Sequence, residues 1–580
     1  MKFYPPIIKI KNKNSVLNVF LENSEYSDEE LYAILHALRN KRKFVLLKDN
    51  IINIDNDETK EFAQLSKDLK LIENNSFVEK RELPPYFAFK VKDSSLVDTK
   101  DEYVETLYND FKNFKNFNKE LPPLNATLRP YQIDAFKWLN VVYKNQVGGV
   151  LADDMGLGKT LETISFIKSL NIDKPILIVA PTSLIFNWMN EFEKFSENEK
   201  IIPLYGNANE RKKLIQSIDP DKKISYITSY DSLRNDIENY KDIHFDLVIL
   251  DEAQFIKNTQ AKKTQSVKTL NADHRLVLTG TPIENSVLDL WSIFDFLMSG
   301  YLPSLEDFKS LSERDPNYLK VIKKSVAPFI LRRVKQDVLK DLPNKYEVIV
   351  SCEMKEEQRK TYDAFKKIAA DTLNSGDNKS VFSVLPYLMR LRQTCITPSL
   401  FVDNFKGESG KLNSLYNIVD EEIDNGNKIL IFSQFVEALN IIESHLKNEG
   451  IQYFKITGQT PSKERLEICS TFNVNNKYKV CIISLKAGGT GLNLTGANVV
   501  IHLDPWWNYA VEEQASDRAH RIGQVRNVKV IKLICENSIE QRVIELQNMK
   551  KEIVKQVVSS DDSSITNLTK DDIKFILESD

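Results

Sequence analysis

The chain has 580 residues, which is too many for one hydrophobic core, so about three or four domains are expected. Hydrophobic residues make up 42% and charged residues 28%, the composition of a soluble globular protein. The net charge of −3 excludes a global basic field, so any nucleic-acid binding must use local patches. None of the five cysteines forms a Cys-x-x-Cys pair, which argues against a zinc module or a disulfide framework. No apolar run is long enough to span a bilayer, and a cytoplasmic protein is expected.

Residues 1–120 are predicted to form a small N-terminal α+β accessory region. Ser27 opens a capping box that is followed by apolar residues at helical spacing, and the apolar runs 44–47 and 51–54 indicate a hairpin. A helix with a hairpin is compatible with a winged helix that touches DNA. A packing domain without DNA contact is the favoured interpretation.

Residues 121–343 alternate between strand and helix patterns, with a motif core at about 143–303. The strands at 175–180, 247–250 and 276–278 are uninterrupted apolar runs. Strands that are buried on both faces have this pattern, so a parallel sheet covered by helices is predicted.

Residues 344–410 are predicted to be a mostly helical insertion, and residues 411–565 to form a second α/β lobe, followed by a tail at 566–580. The strands of that lobe are predicted at 428–432, 480–484, 499–503 and 528–533. Two such lobes suggest a nucleotide held in the cleft between them.

A phosphate-loop pattern, Asp-Asp-Met-Gly-Leu-Gly-Lys-Thr, occupies residues 153–160 between a predicted strand and a predicted helix. Glycines let backbone N–H groups surround phosphate oxygens, and the following helix start adds partial positive charge. Lys159 is expected to reach the β- and γ-phosphates and Thr160 to bind Mg²⁺. The general pattern has a glycine where this chain has Asp153.

Asp251 and Glu252 end a predicted strand downstream of this loop. We expect Asp251 to bind Mg²⁺ and Glu252 to activate the attacking water. Thr279 and Thr281 follow the next strand and are candidates for sensing the γ-phosphate, although an ordinary turn would have the same composition.

Arg518 and Arg521 are three residues apart in the predicted second lobe and would share a helix face. Arginines from a second lobe can stabilise a phosphate during transfer, whereas a solvated charged face is the alternative. The glycine-rich stretch 484–494 would allow close backbone approach to a nucleotide or to a nucleic-acid phosphate, or would be a turn.

Two further features have weaker interpretations. Basic residues between 320 and 345 could follow DNA phosphates, although such a run is more often a solvated face. Trp506 and Trp507 could stack on bases, but packing within an interface is favoured.

Together these motifs resemble the Swi/Snf family of helicase-like ATPases in helicase superfamily two. The resemblance extends from about residue 124 to the C-terminus and rests on motifs whose order and spacing match the family, including an Asp-Glu-Ala-Gln box of the bacterial type. They are found at residues 128–132, 154–160, 251–254, 329–333, 391–395, 504–508 and 514–524. The resemblance implies a fold of two RecA-like parallel-sheet lobes with helical insertions between them.

The resemblance assigns roles to individual positions. The implied catalytic residues are Lys159, Asp251, Glu252, Arg518 and Arg521. The implied ATP-binding residues are Arg129, Gln132, Asp153, Asp154, Met155, Gly156, Leu157, Gly158, Lys159 and Thr160, with Gln132 reading adenine and with Thr160 and Asp251 as Mg²⁺ ligands. The implied coupling residues are Gln254, Thr279, Thr281, Gly488, Gly491 and Gln514.

The implied function is that of a DNA-dependent ATPase that translocates on double-stranded DNA and remodels protein–DNA complexes, with ATP and Mg²⁺ as cofactors. The expected partners are duplex DNA and a DNA-bound protein complex such as RNA polymerase, with no membrane and no implied oligomer. The expected location is cytoplasmic, at the nucleoid. The alternatives are a strand-separating DNA or RNA helicase and a DNA-binding scaffold with an inactive motor.

Overall fold

The structure is a computed structural model that describes residues 2–557 and residue 575. Its gaps lie at 14–15, 23, 49, 74–75, 79, 93, 99–100, 197–198, 281–286, 315–317, 340, 375–379, 489–490 and 508. Across the described residues, no helix combines the length and the apolar character needed to cross a membrane.

The N-terminal region is an α+β unit that packs directly on the following lobe. Its elements are β1 (Ile7–Lys13), β2 (Val16–Glu22), α1 (Asp28–Arg39), β3 (Phe44–Leu47), β4 (Asn50–Asn53), α2 (Asp57–Asp68), β5 (Ile72–Glu73), β6 (Ser76–Phe77), β7 (Lys80–Leu83), β8 (Val97–Asp98) and α3 (Glu102–Lys112). The capping box at Ser27 and the β3–β4 hairpin are present as predicted. The unit also contains a four-stranded sheet with the strand order β7-β2-β1-β8 and a two-stranded sheet of β5 and β6. Aromatic contacts such as Phe89 with Phe329, whose ring centroids are 4.9 Å apart, join its core to that of the first lobe.

The first lobe is a parallel sheet with helices on both faces. Its elements are α4 (Pro130–Lys144), β9 (Gly149–Leu151), α5 (Lys159–Ser169), β10 (Ile176–Ala180), α6 (Ile185–Phe195), β11 (Ile201–Pro203), α7 (Ala208–Gln216), β12 (Ser225–Ser229), α8 (Tyr230–Asp236), β13 (His244–Asp251), α9 (Lys262–Lys268), β14 (Asn271–Leu278), α10 (Val287–Leu297), α11 (Leu305–Arg314), α12 (Tyr318–Val326), β15 (Ile330–Leu331) and α13 (Lys335–Val338). Within the described residues the strand order is β11-β12-β10-β13-β14-β9-β15. The apolar strands β10 and β13 lie at the centre because both of their faces are covered.

The second lobe is another parallel sheet. Its elements are β16 (Lys345–Cys352), α14 (Glu356–Asn374), α15 (Ser380–Ile396), α16 (Gly410–Asp424), β17 (Ile429–Ser433), α17 (Val436–Asn448), β18 (Tyr453–Ile456), α18 (Ser462–Val474), β19 (Val480–Ser484), α19 (Leu485–Gly488), β20 (Val499–His502), α20 (Tyr509–Ser516), β21 (Val528–Cys535) and α21 (Ile539–Val557). The strand order is β16-β21-β20-β17-β19-β18 over the part of the chain that is described. Short 3₁₀ helices occur at Pro85–Lys90, Phe114–Asn116, Thr182–Leu184, Ile237–Tyr240, Ala253–Ile256, Ala327–Phe329 and Pro398–Leu400.

The segment that was expected to be mostly helical begins with a strand. β16 pairs in parallel with β21 over its whole length, from Lys345 opposite Val528 to Cys352 opposite Cys535. It is an edge strand whose side chains are largely exposed, so it lacks the uninterrupted apolar pattern of the central strands. The helices α14 and α15 then follow as predicted.

The interior of the second lobe contains a buried ion pair and all of the cysteines. Lys411 Nζ lies 2.5 Å from Glu540 Oε2, and neither side chain is exposed. Burial raises the pKa of Glu540. All five cysteines are buried free thiols, at Cys352, Cys395, Cys469, Cys481 and Cys535.

Candidate active site

A cavity of about 390 Å³ lies between the two lobes and receives residues from both. From the first lobe it is lined by Arg129, Gln132, Met155, Gly156, Gly158, Lys159, Thr160, Glu191, Asp251 and Glu252. From the second lobe it is lined by Gly491, Asn493, Arg518, Arg521 and Ile522. Every position assigned a catalytic role in the sequence therefore faces this one cavity.

The phosphate-loop pattern forms a tight turn at the carboxyl end of β9. Gly156 and Gly158 have φ values of +87° and +93°, a backbone region that glycine enters without strain. Helix α5 begins directly afterwards at Lys159, so its free N–H groups lie at the cavity. The Lys159 ammonium donates to the carbonyl oxygen of Asp153 at 2.6 Å, which holds the side chain across the loop.

Asp153, which replaces the expected glycine, has a fully buried side chain that does not line the cavity. Its carboxylate pairs with Arg333, whose Nε donates to Oδ1 at 2.9 Å. The same guanidinium binds Glu162 at 3.0 Å. Asp154 is held close to the same stretch of chain, because its Oδ2 accepts from the backbone N–H of Lys335, two residues after Arg333, at 3.0 Å. Both carboxylates thus hold the outer side of the loop in place.

Gln132 lies at the start of α4 and is buried against the loop. Its Nε2 donates to the carbonyl of Leu157 at 3.0 Å, and its Oε1 accepts from the N–H of Arg129 at 2.9 Å. Tyr131 donates to the same Leu157 carbonyl at 2.7 Å. Gln132 therefore links the start of α4 to the phosphate loop.

Asp251 ends β13 in a buried position with both carboxylate oxygens engaged. Trp188 Nε1 donates to Oδ2 at 2.8 Å, and the N–H of Glu252 donates to Oδ1 at 2.9 Å. Burial and the adjacent charge of Glu252 raise the pKa of Asp251 to about 7. Glu252 has a left-handed backbone, φ +55°, and its Oε2 accepts from Gln254 Nε2 at 2.9 Å. The strand end thus presents two acids at fixed angles.

The residues that line the cavity fit a Mg²⁺ ion. Thr160, Asp251 and Lys159 line the same cavity. Hydroxyl and carboxylate oxygens are the hard donors that Mg²⁺ prefers, and a cation would compensate the buried charge of Asp251.

The two arginines enter from the second lobe. Arg518 is fully buried, and burial, together with the charge of Arg521, lowers its guanidinium pKa. Arg521 packs directly on the phosphate loop, with Cγ 2.9 Å from the position that a Cβ on Gly156 would take. The buried Arg518 and the half-buried Arg521 line the same cavity as Lys159 and are suited to bind several phosphate oxygens at once.

The positions assigned to coupling are dispersed. Gln254 contacts Glu252, and Gly491, with φ +63°, packs against Leu184 of the first lobe. Thr279 lies at the end of β14, where its N–H donates to the carbonyl of Leu151 at 3.1 Å. Gly488 packs against Phe432 in the second core. Gln514 lines a separate cavity of about 640 Å³. Thr281 lies outside the described residues.

Part of the basic run before residue 345 is used inside the protein. Arg333 binds Asp153, while Lys335 and Lys345 both bind Asp517. These three side chains are therefore committed to internal ion pairs. Arg332, in contrast, is an exposed side chain.

The adjacent tryptophans flank a buried arginine. Their rings lie 5.3 and 5.2 Å from the guanidinium carbon of Arg392, which also donates to Asp504 at 3.2 Å. Trp506 and Trp507 thus pack within the second lobe, whereas the favoured interpretation placed them in an interface.

Sequence reasoning missed Glu191 and Asn493 at the cavity, Trp188 behind Asp251, and Asp517 beside the arginines. The position of Asp517 in a strongly charged stretch next to Arg518 was the one available signal, whereas nothing local distinguishes Trp188 from a core tryptophan.

Comparison with known proteins is consistent with these motifs. Residues 131–400 match the SNF2-related domain, residues 410–523 match the helicase conserved C-terminal domain, and residues 2–122 match the bacterial SNF2 helicase associated domain.

Individual relatives extend the similarity over most of the chain. An ATP-dependent helicase of Mycoplasma genitalium is 39% identical, covering 78% of this chain and 44% of the relative. An ATP-dependent helicase of Mycoplasma pneumoniae is 35% identical, covering 92% of this chain and 53% of the relative. The human SWI/SNF-related matrix-associated actin-dependent regulator of chromatin subfamily A member 1 is 36% identical over 73% of this chain and 43% of its own length.

The chain spans about half the length of the curated relatives it matches. Among solved structures, the SWI2/SNF2 ATPase core of Sulfolobus solfataricus in complex with dsDNA is 37% identical, covers 79% of this chain and 98% of its own, and has a TM-score of 0.39. With matched domains in this order on two parallel-sheet lobes, the chain belongs to the bacterial branch of the Swi/Snf family of helicase-like ATPases.

Proposed function

We propose that the chain is a DNA-dependent ATPase that translocates on double-stranded DNA and remodels protein–DNA complexes. One observation carries the proposal: Lys159 from the first lobe and Arg518 and Arg521 from the second line the same cavity. A site divided between two bodies couples nucleotide chemistry to their relative motion.

In this proposal the residues predicted to bind or hydrolyse ATP have defined tasks. Arg129 and Gln132 bind the adenine end, while Lys159 and the N–H groups at the start of α5 bind the phosphates. Thr160 and Asp251 would hold Mg²⁺, which supplies charge neutralisation on the phosphates when it is bound.

Glu252 accepts the proton of the attacking water, and Gln254 orients the Glu252 carboxylate through their hydrogen bond. Arg518 and Arg521 stabilise the charge that develops on the transferred phosphoryl group.

The substrate assignment rests on the family. The human relative is named as a regulator of chromatin, which supports duplex DNA as the track. Binding should depend on phosphate contacts and so be sequence-tolerant and salt-sensitive. We further propose that the protein acts at the nucleoid on a DNA-bound complex, of which RNA polymerase is one candidate. We also propose the domain boundaries 1–120, 121–343, 411–565 and 566–580, with residues 344–410 joined to the second lobe because β16 pairs with β21.

The test compares ATP turnover without nucleic acid and with duplex DNA, single strands or RNA. Duplex DNA should give the largest stimulation. Strong separation of a tailed duplex would instead favour the strand-separating helicase, and stimulation by RNA alone would contradict the DNA assignment.

The role of Glu252 as the proton acceptor is tested by a separate variant. Glu252→Gln should lower kcat by about 100-fold or more while nucleotide binding persists, because only the proton acceptor is lost. Glu193→Gln is the matched control, since that carboxylate is exposed on α6 and does not line the cavity. Unchanged turnover in Glu252→Gln would refute the assignment, and with no turnover in the parent protein the inactive-scaffold alternative would stand.

A further inference from the structure

After strand β15 the chain passes along the outer side of the phosphate loop, and residues 331–335 form a loop-side segment. The N–H of Ala152 donates to the carbonyl of Leu331 at 2.7 Å, and that of Asp154 to the carbonyl of Arg333 at 3.0 Å. The N–H of Lys335 returns a bond to Asp154 Oδ2 at 3.0 Å. Three hydrogen bonds therefore join the segment to the loop.

Arg333 locks this arrangement from beneath. Its guanidinium is bound to the buried carboxylates of Asp153 and Glu162. Glu162 belongs to helix α5, which begins at the catalytic lysine. Because charge-assisted bonds of this kind are directional, the loop-side segment cannot shift without disturbing both the loop and that helix.

Lys335 then reaches across to the second lobe. Its Nζ lies 2.6 Å from Asp517 Oδ2 and donates to the carbonyl of His520 at 3.0 Å. Asp517 directly precedes Arg518, and its carbonyl accepts from Arg521 Nε at 3.0 Å. One lysine thus holds both ends of the turn that presents the two arginines.

Asp517 is shared between the lobes. Lys345 Nζ lies 3.3 Å from its other oxygen, Oδ1, and belongs to β16 of the second sheet. The Lys335 and Asp517 side chains are only 11% and 12% exposed. Although burial opposes it, the two lysine charges hold the pKa of Asp517 below its ordinary value. A nearly dry ion pair tolerates the loss of one partner poorly.

We propose that Lys335 is a positioning residue that sets the place of Arg518 and Arg521 relative to the phosphate loop, acting through Asp517. The inference deepens the proposed ATPase function and rests on it. Lys335 contributes to the placement of the arginines and leaves the nucleotide contacts of the first lobe untouched. Its loss should therefore affect the chemical step far more than nucleotide binding.

The test uses two lysines that bind the same carboxylate from different lobes. Lys335→Met should lower kcat by about tenfold or more, with the dissociation constant of a fluorescent ADP analogue changed by less than about threefold. Lys345→Met, the matched control, should change kcat by less than about threefold because it leaves the bond between the lobes intact. Lys335→Arg, which keeps the positive charge, should retain most of the kcat of the parent protein.

A double-mutant cycle with Asp517→Asn separates positioning from local packing. If Lys335 acts through Asp517, the double variant should be about as slow as the slower single variant. Equal losses from Lys335→Met and Lys345→Met, or additive losses in the cycle, would overturn the inference.

Two further measurements distinguish a variant that fails to fold from one that folds but has lost catalysis. Melting temperatures of all variants identify any that unfold, and Lys335→Arg then serves as the folded comparison, expected to keep a near-normal kcat. Absence of ATP turnover in the parent protein would count against the proposed function. Normal turnover in both the parent protein and Lys335→Met would count against this inference alone.

Discussion

Gly158 combines two constraints at one position. Its φ of +93° places it in the left-handed region immediately before helix α5. A Cβ at this position would lie 2.6 Å from Gln132 Nε2, which is bonded to the loop. The backbone therefore favours glycine here, and a larger residue would also have to displace the Gln132 amide from the loop.

Gly158→Ala should abolish nucleotide binding and destabilise the first lobe, since the left-handed backbone costs about 1 kcal/mol and the clash displaces Gln132. Gly450→Ala is the control, because Gly450 has φ +70° and open space around its Cβ position. Denaturant unfolding and fluorescent-nucleotide titration measure both effects. Equal behaviour of the two variants would show that the contact with Gln132 is unimportant.

Trp188 supports Asp251 from helix α6, a role that the sequence did not reveal. Its indole N–H donates to a buried carboxylate, and such charge-assisted bonds contribute about 1.5–3 kcal/mol. Trp188→Phe should therefore lower kcat by about tenfold. Trp138→Phe, which alters another buried tryptophan of the same lobe, should leave kcat nearly unchanged. Steady-state kinetics would contradict this role if the two variants were equally active.

Among the secondary-structure elements, strands that are buried on both faces were predicted from the sequence, whereas an exposed edge strand was not. Strands β10 and β13 are uninterrupted apolar runs and were predicted because a strand covered on both faces leaves that pattern. The edge strand β16 mixes exposed polar and exposed apolar residues, so its membership in the second sheet was not predicted. The location of Asp251 at a strand end followed from the same apolar pattern.

Helices α16 and α21 are joined by the buried pair of Lys411 and Glu540. Lys411→Met should destabilise the second lobe by about 3–5 kcal/mol, because it leaves an uncompensated buried carboxylate. Adding Glu540→Gln should recover most of that loss, since the amide oxygen can still accept from the N–H of Cys535. Urea unfolding measures both free energies. A double variant as unstable as the single one would argue that the pair stabilises by specific geometry.

At the scale of the whole molecule, the site depends on residues far apart in the chain. Lys335 and Asp517 are separated by 182 positions, and local patterns carry no information about such a pairing. The family resemblance predicted that Arg518 and Arg521 belong to the same catalytic site as Lys159. It did not predict the ion pair that holds them there, because basic residues in a run look alike before their partners are known.

Because both lobes line the cavity, nucleotide should stabilise both. ADP at 100 times its dissociation constant should add about 2.7 kcal/mol of stability. Hydrogen exchange should slow in peptides covering 149–170 and 511–524. In the variant Arg518→Gln/Arg521→Gln the slowing should be confined to the first of these peptides. Slowing confined to that peptide in the unmodified protein would contradict a site shared between lobes.

The five buried cysteines all lie between positions 352 and 535, so the first lobe and the accessory region contain none. Burial raises the pKa of the Cys352, Cys395, Cys469 and Cys481 thiols, which keeps them protonated and slow to react. Alkylation by a water-soluble reagent consequently requires opening of the second half of the chain. The rate of thiol alkylation therefore reports how often that half of the chain opens, whereas opening of the first half does not change this rate.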